Sequence, residues 1–172
     1  MTTVVDKLFV EHGELIKYLE EKKEISMKVF VEENFKKNIL LCIASLFEYR
    51  ITSILTNFVD RIGNKSIKLN NFVYSGAISR KYHTLFEWET PNANKFFAFF
   101  GDEFKVDMKQ KVKTSEELDK SIKAFLQLGQ QRNLLVHQNF GEQFIEKTAD
   151  ELYKEYKTAD NFIKFIEEEI NK

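Results

Sequence analysis

Residues 38–62 read NILLCIASLFEYRITSILTNFVDRI. Ile39, Ile43, Phe47, Ile51, Ile54 and Phe58 recur at intervals of three and four, which puts them on one stripe of a helix. The periodic stretch runs from about Met27 to Ile62, and its stripe spans about six turns. The opposite side carries Leu41, Cys42, Leu46 and Tyr49, so this second helix is expected to be long, central and in contact with protein on both faces near its middle. Upstream, Val5, Leu8, Phe9, Leu15, Ile16 and Leu19 predict an amphipathic first helix from Thr3 to about Glu21. Downstream, Gly63 and Asn64 end the long helix in the manner of a glycine cap.

The following KSIKLNNFVYSG, residues 65–76, reads as a loop with a short extended piece at Phe72 to Tyr74. Ile78 to Glu89 predicts a short helix. Thr90 before Pro91 starts another over Asn92 to Phe100, stopped by Gly101. Lys105 to Lys113 reads as polar and irregular. Thr114 with Glu117 forms a capping-box pattern ahead of Leu118, Ile122, Phe125, Gly129 and Val136, a helix ending near His137 with Asn139 and Gly141 as its stop. Thr148 with Glu151 repeats that pattern and opens a last helix whose Leu152, Ala159, Ile163, Ile166 and Ile170 face inward.

One proline and six glycines in 172 residues leave few punctuators, which favours long helices over a sandwich of short strands. With no internal repeat and no linker, the expected fold is one all-α helical bundle, with extra short helices between the long ones. A chain of this length buries roughly 70 % of its unfolded surface, and 17 phenylalanines supply much of that core without metal or disulfide staples. Twenty-six basic against 27 acidic side chains give a net charge of −1, so any polyanion site must be local. The longest uninterrupted apolar run is far short of the ~20 residues that cross a bilayer. Cys42 is alone, and the opening MTTVVDKLFVEHGE has acids where a signal peptide carries its apolar stretch. The expected setting is the cytoplasm, with no membrane partner.

No two of His12, His83 and His137 share the spacing of a zinc site, and no glycine-rich loop cradles a phosphate, so neither metal nor cofactor is expected. Cys42, inside an apolar helix with no histidine near it in sequence, reads as core. Polar chemistry is concentrated in QQRNLLVHQNF, residues 130–140. Asn133 and His137, four apart on a helix, share a face, whereas Arg132 and His137 diverge by about 140°. Two copies around a two-fold axis would instead bring two arginines and two histidines into one cleft. RNA suits such a cleft, because its 2′-OH is a built-in nucleophile. Cleavage then needs only proton transfer, which a histidine of pKa ~6.5 supplies, and charge stabilisation, which a fork-shaped arginine supplies. The alternative is that Arg132 and His137 are cations favoured at a helix C-terminus by about 0.3 to 1 kcal/mol.

The string Arg132-Asn133-Leu134-Leu135-Val136-His137 resembles the arginine, polar residue, three variable residues, histidine motif of HEPN-domain ribonucleases. SLFEYRI at Ser45 to Ile51, FEW at Phe86 to Trp88 and PNANKFFAFFG at Pro91 to Gly101 resemble the RiboL-PSP subgroup, over roughly residues 30 to 145. The resemblance implies that residues 1–172 are a single HEPN-like helical domain. It also implies a metal-independent endoribonuclease acting as a homodimer, with Arg132, Asn133 and His137 catalytic. The acidic residue of the family's second helix falls on Glu48, expected to orient Arg132 or His137, or else to pair with a surface lysine. Arg50 is expected to be paired for structural reasons, with that same glutamate as the candidate partner. Where related toxins carry a modifiable tyrosine two positions after the histidine, this chain has Asn139, and the neighbouring Phe140 has no hydroxyl.

Independently of the family, Arg61 to Phe86 holds Arg61, Lys65, Lys68, Arg80 and Lys81 and no aspartate or glutamate. With Phe72, Tyr74, Tyr82 and His83 interleaved, the segment suits phosphates and unpaired bases, and Lys68, Arg80 and Lys81 are its candidate RNA contacts. A solvated loop and helix face is the alternative. The rival to a nuclease is a non-catalytic module binding RNA or a partner protein. A third possibility is an enzyme restrained by an antitoxin or regulatory protein, as in toxin or antiviral defence systems.

Overall fold

The computed structural model describes residues 2–64, 66–137 and 141–172; Lys65, Asn139 and Phe140, named above, lie outside them. The described chain is all α, without a strand. Its helices are α1 (Val4–Glu21), α2 (Ile25–Ile62), α3 (Ile67–Val73), α4 (Tyr82–Leu85), α5 (Asn94–Ala98), α6 (Asp102–Thr114), α7 (Glu116–His137) and α8 (Ala149–Asn171).

The long helix α2 packs on α1, α7 and α8, and α7 and α8 pack on each other. Its stripe does what its spacing predicts: Ile39, Ile43, Phe47, Ile51 and Ile54 are buried, and Phe58 packs against the same core. On the other side Leu41, Cys42 and Leu46 touch the core, and burial pushes the Cys42 thiol up. Tyr49 does not join them and stays 71 % exposed. Averaged over 18 residues, α2 is apolar enough to cross a membrane by length and composition, although no uninterrupted run is; 44 % of that window is buried inside the bundle. Phenylalanines tie the layers together, with the Phe125 ring 5.6 Å from Phe47, 4.9 Å from Phe86 and 5.2 Å from Phe162.

Thr3 and Asp6 form a capping box at the start of α1, and the same Asp6 carboxylate accepts from the Tyr153 hydroxyl at 2.8 Å and from the Lys157 ammonium. Burial alone would raise the Asp6 carboxyl. Lys157, the Thr3 amide and the Tyr153 and Thr3 hydroxyls outweigh it and hold the carboxyl well below the usual range. This cluster fastens α1 to α8. Thr148 and Glu151 form the predicted capping box of α8, whose Leu152, Ala159, Ile163, Ile166 and Ile170 are buried.

Several local expectations are corrected. Phe72 to Tyr74 is not extended: α3 runs into a wide turn from Tyr74 to Ile78, closed by Ser79 N donating to Tyr74 O at 2.7 Å. Aromatic and β-branched residues suggest extension, but there is no neighbouring strand to pair with. Lys105 to Lys113 is not irregular but lies in α6. Phe104, Met108 and Val112, spaced by four, turn one face of that helix to the core, with Met108 fully buried, and its ends are favoured by Asp102 and Glu103 in the first turn and Lys111 and Lys113 in the last. Lys111 also bridges to Glu169 of α8 at 2.7 Å.

The helix expected over Ile78 to Glu89 contracts to α4, and that over Asn92 to Phe100 contracts to α5. At the start of α7 the Ser115 hydroxyl, not that of Thr114, accepts from Leu118 N at 3.2 Å, while the Thr114 hydroxyl turns back to the Gln110 and Lys111 carbonyls. Gly63 keeps an ordinary φ of −68° and Asn64 takes the left-handed φ of 46° instead. Glycine is needed at 63 for space: a β-carbon there would sit 2.2 Å from Asn70 Oδ1.

Candidate functional site

Leu128 and Leu135 bury one side of α7 and so turn the residues between and beyond them toward the surface. Arg132 and Asn133 are half-buried and His137 is exposed. Asn133 and His137, sharing a face as their spacing predicts, line an open cleft of about 500 Å³ with Gln130 and Leu134. The opposite wall is the segment Glu87, Trp88, Glu89 and Thr90.

That wall is fixed by the FEW tripeptide. Phe86 is buried, and the Trp88 indole donates to His83 O at 2.8 Å while its ring lies against Gly129, where a β-carbon would be 2.1 Å from Cζ3. Helix interiors disfavour glycine by about 1 kcal/mol relative to alanine, and here the bare backbone makes room for the indole.

Arg132 does not line this cleft. Its Nη1 donates to Asn133 Oδ1 at 3.2 Å, and its charge is felt by Tyr82, the first residue of α4. Burial pushes the Tyr82 phenol up strongly, the Glu48 carboxylate adds to this, and the Arg132 guanidinium opposes it. Tyr82 thus sits in the fields of both Glu48 on α2 and Arg132 on α7. Arg50 does not pair with Glu48: it reaches α8, bonding Asp160 and lying 4.0 Å from Glu167.

The candidate RNA contacts lie elsewhere. Lys68, Arg80 and Lys81 are exposed, and none lines the His137 cleft. Lys68 is on α3, Arg80 holds a left-handed φ of 59°, and Lys81 borders a separate groove beside α2 and α5. Of the other histidines, His83 holds the Trp88 indole through its carbonyl, whereas His12 lies apart: it stacks on Phe35 with centroids 3.7 Å apart, and burial pushes its pKa down against the pull of Glu32 and Asp150. Among the described residues no group of three or more His, Cys, Asp or Glu side chains is placed to hold a metal ion.

A family model described as RiboL-PSP-HEPN matches residues 8–172. The chain belongs to the RiboL-PSP-HEPN family. Neither a curated protein nor a solved structure matches it. The RiboL-PSP-HEPN match reaches beyond residues 30 to 145, where the motif strings lie, and takes in most of α1 and all of α8. In this RiboL-PSP-HEPN chain, sequence reasoning missed Tyr82 as a group acted on by Glu48 and Arg132, and Trp88 as a cleft wall. One signal for the second was present: a glycine inside α7, paired with the single tryptophan of the sequence.

Proposed function

We propose that the protein is a metal-independent endoribonuclease of the HEPN type, working as a homodimer across the α7 motif. The observation that carries this reading is an exposed His137 sharing a cleft with Asn133, at the positions of the family's motif. Leu134 and Val136 between them are 49 % and 42 % exposed, apolar surface that a second copy would cover. In the dimer, the 2′-oxygen of RNA attacks the adjacent phosphorus and the bond to the 5′-oxygen breaks. The 2′-OH proton is removed and a proton is delivered to the 5′-oxygen, leaving a 2′,3′-cyclic phosphate and a 5′-hydroxyl. His137 serves in proton transfer and Arg132 stabilises the phosphate charge, with Asn133 holding the arginine. Glu48, whose charge acts on Tyr82 together with that of Arg132, is the acidic residue that would orient Arg132.

Incubating RNA with the protein in EDTA tests this: cleavage is expected for the wild type and is lost in Arg132→Ala and in His137→Ala, both still folded. Undiminished cleavage by both variants overturns it. A second reading, a helical module that binds RNA or a partner protein without cutting, is favoured by Arg132 bonding Asn133 and not lining the cleft. That module would retard RNA in EDTA and leave it intact. A nuclease held in check by an antitoxin or regulatory protein, as a toxin or antiviral effector, would arrest growth on expression, with His137→Ala relieving the arrest.

A further inference from the structure

A groove of about 400 Å³ opens between the C-terminal half of α2, the turn after α3, α4 and α5. Leu55, Phe58, Ile78, Leu85, Phe96 and Phe100 form most of its apolar wall. At Gly76, also on the wall, a β-carbon would meet nothing within 4 Å, so the space there is open. The polar side chains are those of Lys81 and Thr84, and the Thr84 hydroxyl already donates to Lys81 O at 2.8 Å. Among the described residues Lys81 is the one charged residue of the lining. Among the described residues no aspartate or glutamate lines the groove, and none occurs in the sequence from Arg61 to Phe86.

The volume falls within the ~300 to 1,000 Å³ of small-molecule sites, which are mostly apolar with a few polar groups that fix orientation. A wall of phenylalanine and aliphatic side chains with one cation at its edge is complementary to an apolar body bearing one negative charge. We infer that this groove binds a small amphipathic carboxylate, its acyl or aromatic part against Phe58, Phe96 and Phe100 and its carboxylate at Lys81. The site is separate from the His137 cleft and does not depend on RNA cleavage.

Calorimetric titration of the full chain with dodecanoate and with its methyl ester tests the assignment. The acid binds saturably at one site, about three- to fivefold more tightly than the ester, as expected for a partly exposed ion pair. Lys81→Gln removes the difference between acid and ester. Ala77→Trp, placing an indole on the exposed wall of the groove, removes binding of both while circular dichroism shows the fold intact. No saturable uptake by the folded wild type, equal affinity for acid and ester, or binding untouched by Ala77→Trp overturns the inference. Loss of a dimer in Ala77→Trp, with no dodecanoate uptake by the wild type, assigns the groove to a second copy and overturns it as well.

Discussion

The ring of Trp88 lies on the bare backbone of Gly129, with only 2.1 Å between its Cζ3 and the place a β-carbon would occupy. This contact joins the segment after α4 to the middle of α7 and sets one wall of the cleft four residues before Asn133. Gly129→Ala must displace the indole. Overpacking of this kind costs about 1 to 3 kcal/mol despite the better helix propensity of alanine. Urea denaturation should show that loss, and combining Gly129→Ala with Trp88→Leu should recover part of it. A fully additive double variant contradicts the contact.

Asp6 predicts an acid-dependent fastening of α1 to α8. Its carboxyl is held below the ordinary value of about 3.9, so the folded state binds fewer protons than the unfolded one below that pH. The resulting stability is present above pH ~4 and falls away as the pH drops from there toward the lowered native value. Asp6→Asn, which cannot ionise, should therefore be less stable than the wild type at pH 7, and the gap should narrow at low pH. Urea midpoints across the acid range check this; a gap constant with pH contradicts it.

Tyr82 should stay protonated well above the ordinary phenol value, because burial and the Glu48 carboxylate both oppose its ionisation. Tyrosinate absorbance of the wild type and of Tyr82→Phe should rise together through about pH 10, where an unperturbed phenol is half ionised. An excess of one ionised tyrosine in the wild type over that range contradicts the placement of Tyr82.

The proposed dimer predicts that Leu134→Glu and Val136→Glu, each adding a charge to exposed apolar surface beside the motif, lower the mass in sedimentation and reduce RNA cleavage together. Their circular dichroism should match the wild type. A stable dimer in both variants contradicts this use of the α7 face.

Helices with a buried stripe were legible. The Ile39 to Ile54 spacing and the Thr148 and Glu151 cap each predicted an element that forms, because burial and capping act locally and leave a pattern. Helix α6 was harder to read: its core-facing stripe is only Phe104, Met108 and Val112, set among charges that look like any solvated stretch. The pairing of Asn133 with His137 follows from helix geometry alone. The electrostatic surroundings of Tyr82 do not, since the charges of Glu48 on α2 and Arg132 on α7 act on it across segments distant in sequence, which no local spacing encodes. Arg50 shows the limit in the other direction, its partners lying on α8 rather than beside it on α2.

Cleavage of RNA by the α7 face without a metal leaves a chemical signature at the cut ends. End analysis of RNA incubated in EDTA with the purified protein should find 2′,3′-cyclic phosphate and 5′-hydroxyl ends with the wild type and intact RNA with folded His137→Ala. Intact RNA with the folded wild-type protein, or the same fragments with His137→Ala, would rule out that role for the α7 face.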